Sequence, residues 1–135
     1  MTKDLLIGID VGTTGAKAIV ADGSGLLLAE AGEEYATRFP RPNWAEQDPD
    51  DWWRATCTVL QRLMTHPDVS AERIAAVSIS CQAPALVAVD RQGRPLYNAL
   101  IWMDRRSEAE CEWLRTNVDE TRITGINGGR IDPYY

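Results

Sequence analysis

An α/β fold, built on an antiparallel three-strand meander that further strands extend and helices flank, is predicted by three features of this 135-residue sequence. The first is the alternation of Leu5, Ile7, Ile9 and Val11 with other residues, which is the period of a strand with one apolar face. The second is a pair of turns, Gly12-Thr-Thr-Gly15 and Asp22-Gly-Ser-Gly25, placed so that a strand follows each. The third is a helix start at Asp48-Pro-Asp-Asp51, followed downstream by the apolar run Ile74-Ala-Ala-Val-Ser-Ile-Ser80. That run reads as a strand buried on both faces.

The first strand and its turn carry the chemistry. With the apolar residues on one face, Gly8 and Asp10 fall on the other, and Asp10, near the strand end, is aimed at a cleft. Gly12 and Gly15 allow a tight turn that brings backbone N–H groups close to an anion, and Thr13 and Thr14 add hydroxyl donors. Residues 16–21 return as a second strand. A dinucleotide fingerprint would need glycine where Asp10 stands and a helix after the turn, and a Walker A loop would need Gly-Lys-Ser/Thr opening a helix; neither is present. A carboxylate beside a phosphate cradle repels the nucleotide unless a cation lies between them. Asp10 therefore implies magnesium, held partly through water. The alternative is a plain hairpin whose glycines only turn and whose aspartate caps it.

Residues 26–35 form the third strand, acidic and solvated in its latter half. Two prolines make Arg38-Phe-Pro-Arg-Pro42 a loop. In the helix that follows, Asp48 caps, Pro49 suits the first turn, and Asp50 and Asp51 favour its positive end. Trp52, Thr56, Val59 and Leu63, with Trp53, Leu60 and Met64, form its expected buried stripe, a core cluster in preference to a ligand-stacking one. Ser70-Ala-Glu-Arg73 is a short capped turn before the apolar strand. Cys81-Gln-Ala-Pro-Ala85 interrupts that strand, residues 86–89 resume it, and Asp90-Arg-Gln-Gly-Arg-Pro95 is a hairpin-type turn. A further apolar segment ends in charge at Asp104-Arg-Arg106. A helix over 107–115 follows, with Cys111 and Leu114 inward, and then a loop at Asn127-Gly-Gly129.

The net charge of −6 argues against nucleic acid or an anionic membrane as partner. With no apolar run near the roughly 20 residues of a membrane span, and with Met1-Thr-Lys-Asp4 leading straight into a strand, a cytoplasmic protein is expected. Cys57, Cys81 and Cys111 are odd in number and far apart, which suits buried small apolar side chains better than a disulfide or zinc framework. The single histidine, His66, lies at a helix end.

Gly8-Ile-Asp-Val-Gly-Thr-Thr14 resembles the actin-like ATPase superfamily. The succession that follows narrows the resemblance. Trp44-Ala-Glu-Gln-Asp-Pro49 stands before Trp52-Trp53, then come the Gln82 loop, Gly93-Arg-Pro-Leu-Tyr-Asn-Ala-Leu-Ile-Trp102 running into Asp104 and Arg106, and Ile123-Thr-Gly125 before Asp132-Pro-Tyr134. Over essentially its whole length the chain resembles the N-terminal part of FGGY carbohydrate kinases. The resemblance implies a ribonuclease H-like domain, here an incomplete first domain, and transfer of the ATP γ-phosphoryl group to a hydroxyl of a small-molecule sugar or polyol. It also implies roles at matching positions: Asp10 as catalytic and magnesium-binding residue, Gly12, Thr13, Thr14 and Lys17 at the nucleotide phosphates, and Gln82, Trp102, Asp104 and Tyr134 around the acceptor. Trp102 could instead be core, and Asp104 could simply pair with Arg105 or Arg106.

Two departures qualify the resemblance. After Gln82 the glycerol kinases carry an Arg-Glu pair and the xylulokinases a Met-His pair, whereas this chain has Ala83-Pro84. Neither specificity transfers, and hydroxyl discrimination must come from elsewhere. In addition, the family's general base and adenine pocket would lie beyond this stretch, so the chain is expected to be an N-terminal part without kinase activity of its own. Its uncovered sheet edge would favour self-association. A nucleotide-responsive regulatory module is the competing class.

Overall fold

The computed structural model describes residues 3–134; Met1, Thr2 and Tyr135, which the sequence reading placed at the entry to the first strand and at the chain end, lie outside them. The chain divides into two units, one running to Ala36 and resuming over Asp48–Gln82, the other made of Thr37–Gln47 and the residues from Ala83 onward.

In the first unit, β1 (Leu5–Val11), β2 (Gly15–Asp22) and β3 (Leu27–Glu34) form the expected meander, and β5 (Ile74–Cys81) joins on the other side of β1. The sheet order is β3-β2-β1-β5. β1 and β2 pair antiparallel from Leu5↔Asp22 to Val11↔Ala16, and β5 runs parallel to β1. The alternation of β1 holds: Leu5, Ile7 and Ile9 are buried. Helix α1 (Pro49–Leu63) starts as expected, with the Asp48 side chain accepting from the Asp50 N–H at 3.0 Å. It lies over β2 and β3, and Ala55, Val59 and Leu63 complete a core with Leu5, Ala18 and Val20.

In this unit one expectation holds only in part, at Val59, Leu60 and Leu63 of the α1 stripe, and another fails. The buried line of α1 runs through Ala55, Val59 and Leu63 at the i, i+4 spacing, while Trp53 is 71% exposed and Met64 also faces out. Trp53 stands two residues, about 200° of helical turn, from Ala55 and so points away from the sheet. The expectation that fails concerns β5, whose residues from Ala75 to Cys81 are all exposed, with Val77 at 53% and Ile79 at 63%. It is an edge strand, and within its unit α1 covers β2 and β3 instead. Cys81 is exposed for the same reason, although Cys111 is buried. The turn before β5 is a single 3-10 turn, Ala71–Arg73, and the Ser70 side chain does not cap it.

The second unit contains a small sheet of β4 (Glu46–Gln47), β7 (Ala99–Ile101) and β6 (Ala85–Leu86), in the order β4-β7-β6. The strand expected over 86–89 stops at Leu86, and Val89 keeps only an isolated bridge to Pro95 across the Asp90–Pro95 turn. Helix α2 (Glu108–Asn117) lies close to its expected span. A second helix, α3 (Glu120–Asn127), was not anticipated. Its Asp119 side chain accepts from the Thr121 N–H at 3.0 Å, and Gly128 closes it at φ 73°, where a residue with a Cβ would be strained. Among the described residues no helix is long and apolar enough to cross a membrane.

Candidate functional site

The β1–β2 turn is tied by its own backbone and by β3. The Gly12 N–H donates to the Gly15 carbonyl at 3.0 Å, and the Tyr35 N–H donates to the Thr14 carbonyl at 3.3 Å. The Tyr35 hydroxyl donates to the Gly12 carbonyl. Burial, reinforced by the negative charge of Asp10, pushes the Tyr35 phenol up to about 12, so that it stays protonated and remains a donor. Gly15 is required by proximity: a Cβ there would lie 2.5 Å from the Glu33 carbonyl oxygen and 3.0 Å from the Glu34 Cα. A side chain on Gly12 would meet the Asp10 Oδ2 at 3.4 Å.

Asp10 stands opposite Lys17 across the β1–β2 ladder and opposite Ser80 across β1–β5. Together with Gly8, Lys17, Ser78 and Ser80 it lines an open concavity of about 360 Å³ on the sheet face away from α1. The Asp10 side chain is exposed and takes no hydrogen bond or ion pair from the described residues. A single carboxylate with open space before it fits magnesium, which keeps several waters and takes one or two carboxylates plus substrate phosphates. No larger cluster of potential metal ligands occurs among the described residues.

In the second unit, Trp102, Asp104 and Tyr134 come together around a cavity of about 410 Å³. The rings of Trp102 and Tyr134 meet edge to face with centroids 6.3 Å apart, and the Tyr134 hydroxyl donates to the Ala83 carbonyl at 3.3 Å. Pro84, Ala85 and Leu86 form one wall. Gln82 belongs to the first unit, where its N–H donates to the Val11 carbonyl at 2.9 Å, extending the β1–β5 ladder by one bond.

Asp104 is 6% exposed and engaged on both oxygens. Its Oδ2 accepts from the Ala45 N–H at 2.7 Å; the Arg106 backbone N–H donates to Oδ1 at 3.0 Å and the Arg106 guanidinium to both oxygens at 2.8 to 3.0 Å. Arg106 also reaches Glu46 at 2.6 Å and lies over the Trp44 ring, 3.8 Å from its centroid. Glu46, 2% exposed, accepts further from Tyr97 and Asn98, each at 2.9 Å. Burial opposes ionisation of Glu46 and Asp104. Hydrogen bonds outweigh it, from Asn98, Arg106 and Tyr97 for Glu46 and from Arg106 and Ala45 for Asp104, and hold both carboxyls below their ordinary range. Of the two arginines weighed as partners for Asp104, Arg106 is the one that takes it; Arg105 pairs with Glu108 and Asp132.

Sequence reading does not mark Tyr35, Ser78, Ser80 or Glu46 as parts of these sites. For the serines the parallel register supplies the placement, and no local pattern encodes it. For Glu46 a signal exists: an acid enclosed by Trp44-Ala45 and Gln47 in a segment otherwise built for burial.

Comparison with known proteins shows the family of the chain. The family model described as the N-terminal domain of the FGGY family of carbohydrate kinases matches residues 5–135. The chain is 35% identical over 134 residues to the glycerol kinase of Rhodospirillum centenum, covering 98% of this chain and 27% of that protein. Among solved structures it is similar to the xylulose kinase of Rhodospirillum rubrum, with 32% identity, a TM-score of 0.83, and coverage of 89% of this chain and 25% of that one. It is also similar to a xyloylose kinase from Brucella ovis, with 27% identity, a TM-score of 0.87, and coverage of 97% and 27%. The chain thus spans about a quarter of the length of the relatives it matches.

Proposed function

We propose, from the premise that this chain belongs to the FGGY family of carbohydrate kinases and has their actin-like ATPase fold, that it serves the transfer of the ATP γ-phosphoryl group to a hydroxyl of a sugar or polyol. The observation that carries this reading is the exposed Asp10 carboxylate beside the braced Gly12–Gly15 turn, with Lys17 opposite it. Phosphoryl transfer depends on positioning and charge neutralisation, which such a set supplies.

In this reading Gly12 shapes the turn, its own N–H held by the Gly15 carbonyl, Thr13 and Thr14 border the nucleotide phosphates, and the Lys17 ammonium adds a point charge. Asp10 holds magnesium through one carboxylate oxygen or through its waters. The ion, when bound, neutralises charge on the phosphate oxygens. Tyr35 keeps the Gly12 carbonyl engaged and so braces the turn. At the acceptor end Trp102 and Tyr134 offer ring surface to the carbon face of a polyol, and Asp104 borders the cavity while anchoring Arg106.

The test is ADP release from magnesium ATP with glycerol, tetritols, pentuloses and hexonates as acceptors. It is run on the chain by itself and on the chain spliced in place of the matching quarter of the Rhodospirillum centenum glycerol kinase. Acceptor-dependent turnover is expected in the spliced protein and not in the chain alone, since in-line transfer needs both substrates enclosed and a base in reach. Asp10→Asn should lower the spliced protein's turnover by several orders of magnitude. Near-normal turnover of that variant, with normal magnesium dependence, would refute the assignment.

A further inference from the structure

The concavity in front of Asp10 carries an inference about how a cation is seated there, which rests on the proposed function and deepens it at the phosphate end. Three adjacent strands each set one residue into a row across the sheet. Lys17 of β2 and Ser80 of β5 are the Cα partners of Asp10 on either side of β1. Residues opposite one another in a ladder share a face, and all three line the same open space of about 360 Å³. All three are exposed, and none of their side chains takes a hydrogen bond or ion pair from the described residues. The row therefore offers an ammonium, a carboxylate and a hydroxyl in that order, each still available to a ligand.

The two sides of Asp10 are not equivalent for a hydrated cation. Lys17 repels it and has no lone pair with which to accept from its waters. Ser80 is uncharged and its hydroxyl oxygen can accept. Neighbouring strands lie about 4.8 Å apart, so the gap between the Asp10 and Ser80 side chains, which do not bond to each other, suits one bridging oxygen. A magnesium-bound water is such an oxygen, because the ion parts with its waters reluctantly and polarises their O–H groups. Ser78 lines the same space two residues further along β5, about 6.6 Å away, where its partner across the ladder is Gly8 and no carboxylate stands beside it. We propose that Ser80 is a positioning residue for the magnesium, its hydroxyl accepting from a water on the ion, and that the ion lies on the β5 side of Asp10, away from Lys17.

Manganese(II), which takes the same oxygen ligands and broadens the NMR signals of nearby amides, tests this on the 135-residue chain. Broadening should be strongest at Asp10 and residues 79–81 and weaker at residues 16–18, and Asp10→Asn should abolish it at both. Ser80→Ala should raise the apparent manganese Kd about tenfold, the low end for an outer-shell partner, with the circular dichroism unchanged. Ser80→Thr, which keeps the hydroxyl, should restore the affinity, and Ser78→Ala should leave it as it was. Unchanged affinity in Ser80→Ala overturns the proposal, as does an equal loss in Ser78→Ala, a failure of Ser80→Thr to restore binding, or broadening centred on residues 16–18. Manganese that broadens nothing near Asp10, or does so equally in Asp10→Asn, overturns it together with the cation assigned to Asp10. The ADP-release assay of the spliced protein then reports separately whether phosphoryl transfer stands.

Discussion

Single residues in the β1–β2 turn divide cleanly into those that hold the backbone and those left for a ligand. Gly15 belongs to the first kind. Adding a methyl group there meets the β3 backbone rather than a movable side chain, so Gly15→Ala should cost about 1–3 kcal/mol, read as a lower denaturant midpoint at unchanged m-value. Asp10 belongs to the second kind, because its carboxylate is exposed and takes no hydrogen bond from the described residues; Asp10→Asn should leave the melting temperature unchanged. Tyr35 sits between the two. Its phenol is raised in the folded chain, so the unfolded chain ionises first on alkalinisation, and stability should fall between about pH 10 and pH 12. Tyr35→Phe should remove that part of the alkaline loss, measured by thermal melts across the interval.

Among the elements, α1 gives the sharpest test of which side chains the fold depends on. Leu63→Ala, at a fully buried position on the line facing β2 and β3, should cost about 2–5 kcal/mol. Trp53→Ala should stay within about 0.5 kcal/mol, despite removing a far larger ring. Urea unfolding of the two variants separates them. Much of this unit was legible in the sequence. The period-2 pattern of Leu5, Ile7 and Ile9, the turn glycines and the Asp48-Pro49 start each rest on a local rule, and local rules can be read from a local stretch. The stripe of α1 is legible at Val59 and Leu63 but not at Ala55, a residue small enough to let helix and sheet approach and without the apolar bulk of the neighbouring tryptophans. β5 was misjudged because an apolar run says what a strand is suited to face and not which element arrives to face it. The site behaves in the same way. Asp10 and the glycine turn announce themselves, whereas the Glu46–Arg106–Asp104 cluster joins residues about sixty positions apart.

At the scale of the whole chain, acid should act on the second unit through that cluster. Glu46 and Asp104 are held below their ordinary values in the folded state. Their contribution is therefore complete above the unfolded carboxylate range, about pH 4, and is lost as pH falls through the depressed folded values. Melts at pH 7, 5 and 3 should show the loss confined to the last step. Glu46→Gln, which leaves the partly buried Arg106 with Asp104 as its carboxylate partner, should reduce both the stability at pH 7, by about 1–3 kcal/mol, and the acid sensitivity. The division of the chain adds a matter of timing. Because Thr37–Gln47 is part of the second unit while Asp48–Gln82 is part of the first, β4 leaves the ribosome well before its partner strand: Glu46 pairs with Leu100. At roughly 5–20 residues per second, the nascent β4 edge, with Glu46 and Trp44 beside it, waits several seconds for the strand that will cover it. Synonymous codons that slow translation between positions 48 and 98 would lengthen that wait, and chaperone capture or nascent-chain proteolysis in the 37–47 segment is where the delay would be felt.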